Sequence, residues 1–306
     1  MDFECIDDRF STTRRLTRTP KEPDPCFQLP GKPAPANAGG LRTRGLYKAE
    51  GPEPIVTVIT IAYNCASSIE ETMLSVLNQT YSNIEYIVID GGSTDGTLDV
   101  IRKYGHAIDY WISEPDRGIY DAINKGVRAS TGQWLNCMNV KDVFFSNNTI
   151  QTIADKYLHG EARFIYSDIL LRNGIYENGA LHRHVCDHEK LIINHQGSIY
   201  QKSLHLEYGP YMVAKEMTIS DYLFFSLIDP KYYRKADEPI AIYDTTGLSN
   251  AKAPTEQRFI IDYLVNGMPK SRFLAHFHLG YYRKEAEAQL VRVVRSLRKL
   301  VWRPKA

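Results

Sequence analysis

The segment Asp-Gly-Gly-Ser-Thr-Asp-Gly-Thr over residues 90–97 combines a carboxylate with a flexible backbone. Asp90 ends a predicted strand, and the glycines that follow allow the backbone to approach a ligand closely. The segment lacks the Gly-Lys-Ser/Thr of a phosphate-binding P-loop and the spaced glycines of a dinucleotide-binding fingerprint. Considered alone, it is best explained as a turn that Asp90 caps through its side chain. A binding role for Asp90 therefore depends on what the fold places beside it.

Strands and helices alternate between residues 55 and 139, and polar side chains fall where the strands end. The predicted strands are 55–62, 84–90, 110–113 and 134–139, and the predicted helices are 69–77, 98–104 and 120–129. This alternation is typical of an α/β fold with a mainly parallel sheet and helices on both faces. Ligands bind beyond the carboxyl ends of such strands, where Asn64, Asp90, Asn139 and Asp142 lie. We therefore predict a binding site at that edge of the sheet.

Composition and charge exclude several classes of protein. The chain has 306 residues and a net charge of +1, with 37 Lys and Arg against 36 Asp and Glu. It therefore lacks the basic field of a nucleic-acid-binding protein, and no nucleic-acid partner is expected. Its cysteines show no metal-binding spacing, the acidic first residues do not resemble a signal peptide, and no apolar stretch is long enough to span a bilayer. We expect a cytoplasmic protein.

Prolines and apolar periodicity divide the chain into three parts. Residues 1–50 are rich in proline and glycine, which predicts an extended N-terminal arm. Residues 51–250 carry the alternating pattern and a looser second half that completes the same domain. Residues 251–306 are predicted to form a C-terminal helical extension, because apolar residues between 281 and 306 recur on one helical face and basic residues surround them.

Four segments taken together resemble the family 2 glycosyltransferases, which have the GT-A fold. They are the Thr-Ile-Ala-Tyr-Asn of residues 60–64, IDGGSTDGT (89–97), DRGIYDAINKG (116–126) and MNVKD (138–142), in the family's order. The sequence is similar in particular to bacterial enzymes that build polysaccharides such as colanic acid or O-antigen. The resemblance covers residues 54–250 and implies a Rossmann-like, mainly parallel sheet with flanking helices.

The resemblance also implies a role for individual residues. Asp90 is expected to hold the donor base, Asp142 to bind a divalent metal ion (Mn²⁺ or Mg²⁺), and Asp221 to act as the general base. A positioned base accelerates transfer about 10²–10⁴-fold. The expected donor is a nucleotide-diphosphate sugar, and a UDP-sugar is the first choice among these donors. Its further contacts are implied for Thr60, Ala62, Tyr63, Asn64, Gly91, Ser93, Asp116, Arg117, Asn124, Lys125, Asn139, Val140 and Lys141.

Lys141 departs from the family's metal-binding motif. The element here is Asn-Val-Lys-Asp over residues 139–142, so only its last carboxylate, that of Asp142, is kept. An ammonium group beside a metal ligand either repels the ion or replaces part of its charge on the diphosphate. The sequence therefore leaves two questions open: metal dependence, and the alternative that the chain is a catalytically impaired nucleotide-sugar-binding or scaffold protein.

Three other features have both a structural and a functional explanation. Asp221 also suits the N-terminus of a helix without any catalytic role. His195 and Gln196 match a family pair that precedes a strand, and Ser249 lies in a loop resembling one that folds over the diphosphate, although a plain turn explains it equally well. The basic helix in residues 281–306 is explained either by contact with a membrane surface or by packing on protein.

The motifs together predict an inverting glycosyltransferase. It would move a sugar from a nucleotide-diphosphate sugar to a hydroxyl of a saccharide or lipid-linked acceptor in the synthesis of bacterial surface polysaccharide. The basic helix would then hold the enzyme peripherally on the inner face of the cytoplasmic membrane.

Overall fold

The computed structural model describes residues 4–20, 37–172, 181–214, 217–246 and 253–275. Its strands are β1 (Leu16–Thr17), β2 (Ala38–Gly39), β3 (Tyr47–Lys48), β4 (Val56–Ala62), β5 (Ile84–Asp90), β6 (Tyr110–Ser113), β7 (Trp134–Cys137), β8 (Val143–Phe144), β9 (Phe164–Tyr166), β10 (Ile169–Arg172), β11 (His182–His184), β12 (Ser198–Gln201), β13 (Tyr233–Lys235) and β14 (Ala241–Asp244). Its helices are α1 (Ile69–Leu77), α2 (Thr97–Lys103), α3 (Ile119–Ala129), α4 (Thr149–Tyr157), α5 (Leu204–Tyr208), α6 (Ser220–Leu227) and α7 (Ala253–Leu264). The chain divides into two units, residues 1–250 and 251–306.

The main sheet of the first unit has eight strands in the order β13-β9-β12-β7-β4-β5-β6-β2. Its centre is parallel, because β4 pairs in parallel with both β5 and β7, and β5 pairs in parallel with β6. Antiparallel pairs flank this centre, formed by β12 on one side and β2 on the other. The predicted α/β fold class, with its mainly parallel sheet and flanking helices, is confirmed.

Helices cover both faces of the central strands, so β4 and β5 are buried on both sides. Val58 packs in the core cluster that contains the apolar stripe of α1, whereas Ile59 packs in the cluster that contains the apolar side chains of α3. Helix α3 lies close to the sheet at Gly126, where an added methyl group would stand 2.4 Å from Ile59 Cγ2. The β-branched run of β4 therefore serves as the shared core of two layers.

A second sheet of four strands, in the order β11-β10-β14-β8, lies in the second half of the same unit. Strands β10 and β14 are parallel, and their last residues, Arg172 and Asp244, are register partners. Strand β8 follows Asp142 directly and pairs with β14. This small sheet therefore brings the residues around Asp142 together with the end of β14.

Several residues between 4 and 50, where the proline content predicts an extended arm, pack against the rest of the first unit. Strand β2 extends the main sheet beside β6, and β1 pairs with β3. Leu16, Leu41 and Leu46 form a buried cluster. The prolines that suggested an arm concentrate between residues 20 and 35, whereas the packed segments lie on either side of them. Residues 21–36, which hold most of these prolines, lie outside the described residues, and the arm stays a prediction there.

The second unit contains α7, and beyond it the ring of Phe273 stacks on that of Tyr263 at 4.4 Å between centroids. The predicted basic helix in residues 281–306 lies outside the described residues. Among the helices that the structure describes, none has the length and apolar character needed to cross a membrane.

Candidate active site

Two loops at the carboxyl ends of β4 and β5 are locked together by hydrogen bonds. The backbone N–H of Asn64 donates to Ser93 Oγ at 2.8 Å, and the side-chain oxygen of Asn64 accepts from the N–H of Thr94 at 2.9 Å. Asn64 has a φ of 47°, a left-handed conformation that asparagine tolerates better than most residues. The predicted site residues Asn64 and Ser93 are therefore neighbours, held in a preformed edge.

Asp90 lies beneath this edge as a fully buried carboxylate. It accepts hydrogen bonds from the N–H of Ser93 at 3.0 Å and from the hydroxyls of Ser93 and Ser113, the latter at 2.6 Å. Ser113 ends β6 and is level with Asp90 in the sheet register, as is Ala62 at the end of β4. The side chain thus caps the turn after β5 as the simpler explanation predicted, and it also sets the floor of the site.

Gly91 allows two predicted site residues to approach the backbone closely. A methyl group at this position would stand 2.6 Å from Asp116 Oδ2 and 3.3 Å from Tyr63 Cδ2. The Tyr63 ring is 67% exposed above this edge. An exposed aromatic ring beside a glycine and a carboxylate forms a surface on which a planar ligand can stack.

The residues of the DRGIYDAINKG segment, which leads into α3, divide into exposed and structural side chains. Arg117 is exposed and pairs with Asp121 at 3.0 Å. Asn124 is buried, and it exchanges hydrogen bonds with the backbone of Tyr211 at 2.8 and 3.0 Å. Lys125 donates to the carbonyl of Pro115 at 2.9 Å. In this structure Asn124 and Lys125 thus secure neighbouring loops.

Thr60 and Val140 also lie below the surface of the site. The Thr60 hydroxyl donates to the carbonyl of Met138 at 2.9 Å and accepts from the Tyr86 hydroxyl at 3.0 Å. Val140 packs against the core cluster of α1. Both residues therefore shape the ends of β4 and β7 from within.

Asp142 is a buried carboxylate at the junction of the two sheets. Its Oδ2 accepts a hydrogen bond from Gln196 Nε2 at 2.7 Å, and its Oδ1 accepts from the backbone N–H of Asp244 at 2.8 Å. Burial raises the pKa of the Asp142 carboxyl to about 7, although these two hydrogen bonds act in the opposite direction. Gln196, which the family pattern singled out, is therefore a direct partner of Asp142.

The residues around Asp142 do not fit the divalent ion that the family pattern implies. A magnesium or manganese ion at a nucleotide takes one or two carboxylate oxygens together with phosphate oxygens. Each oxygen of Asp142 accepts one N–H group, so a metal ion would share both oxygens with N–H donors, and the next residue is Lys141, whose ammonium group opposes the binding of a cation. Asn139 Oδ1 is buried there without a described partner.

Asp221 lies in the first turn of α6, and the Tyr120 hydroxyl holds its carboxylate. The hydroxyl of Tyr120 donates to Asp221 Oδ1 at 2.7 Å, and His195 Nδ1 lies 3.9 Å from Asp221 Oδ2. The carboxylate remains 28% exposed, whereas His195 is buried. Burial lowers the pKa of the His195 imidazole and Asp221 opposes that effect, so the ring is neutral at pH 7. Asp221 is thus an oriented carboxylate with access to solvent.

A line of buried rings continues from His195 into the interior. The Tyr211 hydroxyl lies 3.2 Å from His195 Nε2 and 2.8 Å from the Tyr200 hydroxyl, which in turn lies 3.2 Å from His205 Nε2. His205 Nδ1 is 3.1 Å from the carbonyl of Gly209. These contacts connect β12, α5 and the loop before α6, and they fix the position of His195.

Because of His205, we expect the free energy of unfolding to fall on acidification. Burial lowers the pKa of its imidazole to about 4, so between pH 6.5 and pH 4 the unfolded chain binds a proton that the folded chain does not. The loss from this residue is on the order of 3 kcal/mol, since one pKa unit corresponds to about 1.4 kcal/mol.

Chemical denaturation at several pH values measures this effect. The variant His205→Gln should show a shallower decrease than the wild type, whereas His159→Gln, at an exposed histidine, should follow the wild type. Equal pH dependence of the wild type and His205→Gln would contradict the assignment.

The chain from residue 57 to residue 218 matches the family model described as glycosyl transferase family 2. It belongs to glycosyl transferase family 2. The matched range contains Asp90, Lys141 and Asp142, whereas Asp221 lies just beyond it. The resemblance seen in the four sequence segments is therefore confirmed.

Curated relatives of this family 2 chain include glycosyltransferases of mycobacteria. It is 28% identical over 167 residues to a PGL/p-HBAD biosynthesis glycosyltransferase of Mycobacterium bovis BCG, covering 52% of this chain and 63% of the relative. It is 29% identical over 222 residues to an uncharacterized glycosyltransferase of Mycobacterium tuberculosis, covering 66% of this chain and 79% of the relative. The chain thus spans just under two thirds of the length of the first of these relatives.

Solved structures show the same fold at low sequence identity. Residues 1–349 of S. aureus TarS, crystallised with UDP-GlcNAc, superpose with a TM-score of 0.56 at 16% identity, covering 69% of this chain and 65% of TarS 1–349. The family 2 chain therefore has the GT-A fold.

Sequence reasoning missed several partners of the predicted residues. Tyr120 and Tyr211 hold the region of Asp221, and Asp244 contributes the N–H that binds Asp142. Tyr120 and Asp221 are 101 positions apart, so no local pattern relates them. Ser249 lies outside the described residues, and its role stays a prediction.

Proposed function

We propose that this chain transfers a sugar from a nucleotide-diphosphate sugar to an acceptor hydroxyl with inversion at the anomeric carbon. Two consecutive residues, His195 and Gln196, contact the carboxylates of Asp221 and Asp142, and this observation carries the proposal. Gln196 donates to Asp142, and His195 lies beside Asp221. This dipeptide, near the carboxyl ends of the parallel strands, therefore supports both Asp221, the proposed general base, and the region of Asp142 that is proposed to lie near the diphosphate.

In this proposal Asp221 accepts the proton of the acceptor hydroxyl as the oxygen attacks the anomeric carbon. The bond between that carbon and the diphosphate oxygen breaks on the opposite face, and the nucleoside diphosphate leaves with the electron pair. Single displacement of this kind inverts the anomeric configuration. The Tyr120 hydroxyl orients the carboxylate, and the buried neutral His195 ring limits the directions from which it can be approached.

The donor side would be formed by the locked loops after β4 and β5. The exposed Tyr63 ring offers a stacking surface for the base, and the backbone around Gly91 allows close approach. A UDP-sugar is the first donor to test, because TarS, which shares the fold, was crystallised with UDP-GlcNAc and with UDP. Arg117, just before α3, is an exposed cation that pairs with Asp121.

The acceptor is proposed to be a saccharide or a lipid-linked sugar in the synthesis of bacterial surface polysaccharide. A mycobacterial relative is named for the biosynthesis of PGL and p-HBAD, which supports a role in making cell-surface glycoconjugates. Contact of the basic segment 281–306 with the inner face of the cytoplasmic membrane stays a prediction, since that segment lies outside the described residues.

Thermal unfolding with nucleoside diphosphates tests the proposal. We expect one of UDP, GDP or dTDP to raise the melting temperature, because a ligand at 100 times its Kd adds about 2.7 kcal/mol to the free energy of unfolding. CMP serves as the monophosphate comparison. A chain that binds donor sugars without ever releasing nucleoside diphosphate would support the rival function of a scaffold protein. Absence of binding to all four nucleotides would contradict the proposed function.

A further inference from the structure

Lys141 has a backbone conformation that side chains other than glycine and asparagine rarely adopt. Its φ is 78°, in the left-handed region. Two hydrogen bonds hold the residue there: its N–H donates to Thr72 Oγ1 at 3.0 Å, and its carbonyl accepts from Arg172 Nη2 at 2.6 Å. Such conformations are energetically unfavourable and persist where the surroundings impose them. A lysine at this position is therefore a feature to be explained, since glycine would fit without strain.

The Lys141 side chain extends to the end of β14. Its Nζ donates to Thr246 Oγ1 at 3.1 Å, and the N–H of Thr246 donates to Asp244 Oδ1 at 2.8 Å. The backbone N–H of Asp244 is the group that binds Asp142. The ammonium group thus stands at the exposed rim of the Asp142 region, between β14 and the turn after β7.

A second cation lies on the same rim. Arg172 is 35% exposed, pairs with Glu71 at 2.5 Å and donates to the Lys141 carbonyl. The Arg172 charge is therefore partly balanced by Glu71, whereas the Lys141 ammonium has a neutral hydroxyl as its partner. If a diphosphate bound at this rim, the Lys141 ammonium would donate hydrogen bonds to phosphate oxygens in place of the Thr246 hydroxyl.

We propose that Lys141 binds the diphosphate of the donor and takes the place of the divalent ion, so that nucleotide binding does not require a metal. This inference rests on the proposed function. Three observations carry it: the imposed left-handed backbone of Lys141, its ammonium at the rim, and the engagement of both Asp142 oxygens by N–H donors. A lysine ammonium is a compact point charge suited to phosphate.

Calorimetric titration with UDP and GDP, in EDTA and in Mn²⁺, tests the inference. We expect wild-type affinity to change less than twofold between the two conditions. Lys141→Asn keeps a residue that tolerates the left-handed backbone but removes the charge, and it should lose about 10- to 100-fold in affinity. Lys141→Arg keeps the charge and should stay within about tenfold of the wild type.

The variant Lys141→Asp provides a second, independent comparison. It replaces the cation with a carboxylate next to Asp142, and we expect its nucleotide affinity to depend on Mn²⁺ by at least about tenfold. Loss of wild-type UDP and GDP binding in EDTA with full recovery in Mn²⁺ would overturn the inference while leaving the proposed function intact. Unchanged affinity of Lys141→Asn would also overturn it. Absence of nucleotide binding by the wild type in both conditions would instead contradict the proposed function.

Discussion

Asp221→Asn is expected to lower the rate of sugar transfer about 10²–10⁴-fold, the contribution of a positioned general base. The asparagine oxygen can still accept the hydrogen bond from Tyr120, so the fold and the position of the side chain should be kept. What is lost is the ability to accept a proton from the acceptor hydroxyl. Release of nucleoside diphosphate from UDP-glucose, UDP-N-acetylglucosamine and GDP-mannose measures the rate.

Nucleotide affinity and a matched variant separate catalysis from folding. Asp221→Asn should bind UDP or GDP as the wild type does, because in the proposed mechanism Asp221 contacts the acceptor. Asp99→Asn changes a carboxylate in α2 that is 79% exposed and pairs with Arg102, and it should keep the full rate. A transfer rate for Asp221→Asn within threefold of the wild type would remove Asp221 from the role of base.

Glu85→Ala is expected to lower the free energy of unfolding by about 3–5 kcal/mol, the usual cost of breaking a buried ion pair. Glu85 is 1% exposed within β5, and it accepts hydrogen bonds from the Arg42 guanidinium and from Thr57 Oγ1. Burial alone would raise the pKa of Glu85, but Arg42 and Thr131 outweigh it and hold that pKa below its ordinary value. Alanine would leave the Arg42 charge without its carboxylate.

An exposed ion pair provides the control for this effect. Glu70→Ala removes the exposed partner of Lys103 and of the Tyr104 hydroxyl, and because Lys103 and Glu70 are 63% and 44% exposed the expected loss is about 1 kcal/mol. Equilibrium denaturation of both variants gives the comparison. A Glu85→Ala variant within 1 kcal/mol of the wild type would show that solvent or neighbouring groups replace the missing carboxylate.

Local patterns predicted the parts of the fold that depend on one element and its neighbour. The apolar stripe of α1, from Ile69 to Leu77, is buried as its spacing predicts. The β-branched run of β4 forms a strand buried on both faces. Alternation of such elements was sufficient to predict the parallel sheet, because short connections between strands and helices leave few other arrangements.

Asn124 is a residue of the family motif that also has a structural explanation, and its donor contact stays a prediction. The family pattern suggested a donor contact, but Tyr120, Ile123, Asn124 and Val127 share one helical face, and all of them are buried. Helical periodicity alone could therefore have predicted a structural role for Asn124. The bonds that the side chain makes to the Tyr211 backbone could not have been predicted, because they join residues 87 positions apart.

The surroundings of Asp142 were beyond sequence reasoning for a similar reason. Its carboxylate is bound by Gln196 and by the N–H of Asp244, 54 and 102 positions away. The sequence showed that Lys141 is unusual beside a predicted metal ligand. Only the structure shows the left-handed backbone at Lys141 and the destination of its ammonium group.

The pairing of β2 with β6 has a consequence for self-association. Strand β6 would otherwise be an edge of the main sheet, with a row of backbone N–H and C=O groups free to pair with another molecule. Gly39 also lies directly over Trp111, where even a methyl group would stand 2.5 Å from the indole ring. A chain that began at residue 51 would keep every predicted donor and catalytic residue. It would also expose the edge of β6 and the Trp111 indole, and we expect such a chain to self-associate more readily than the full chain.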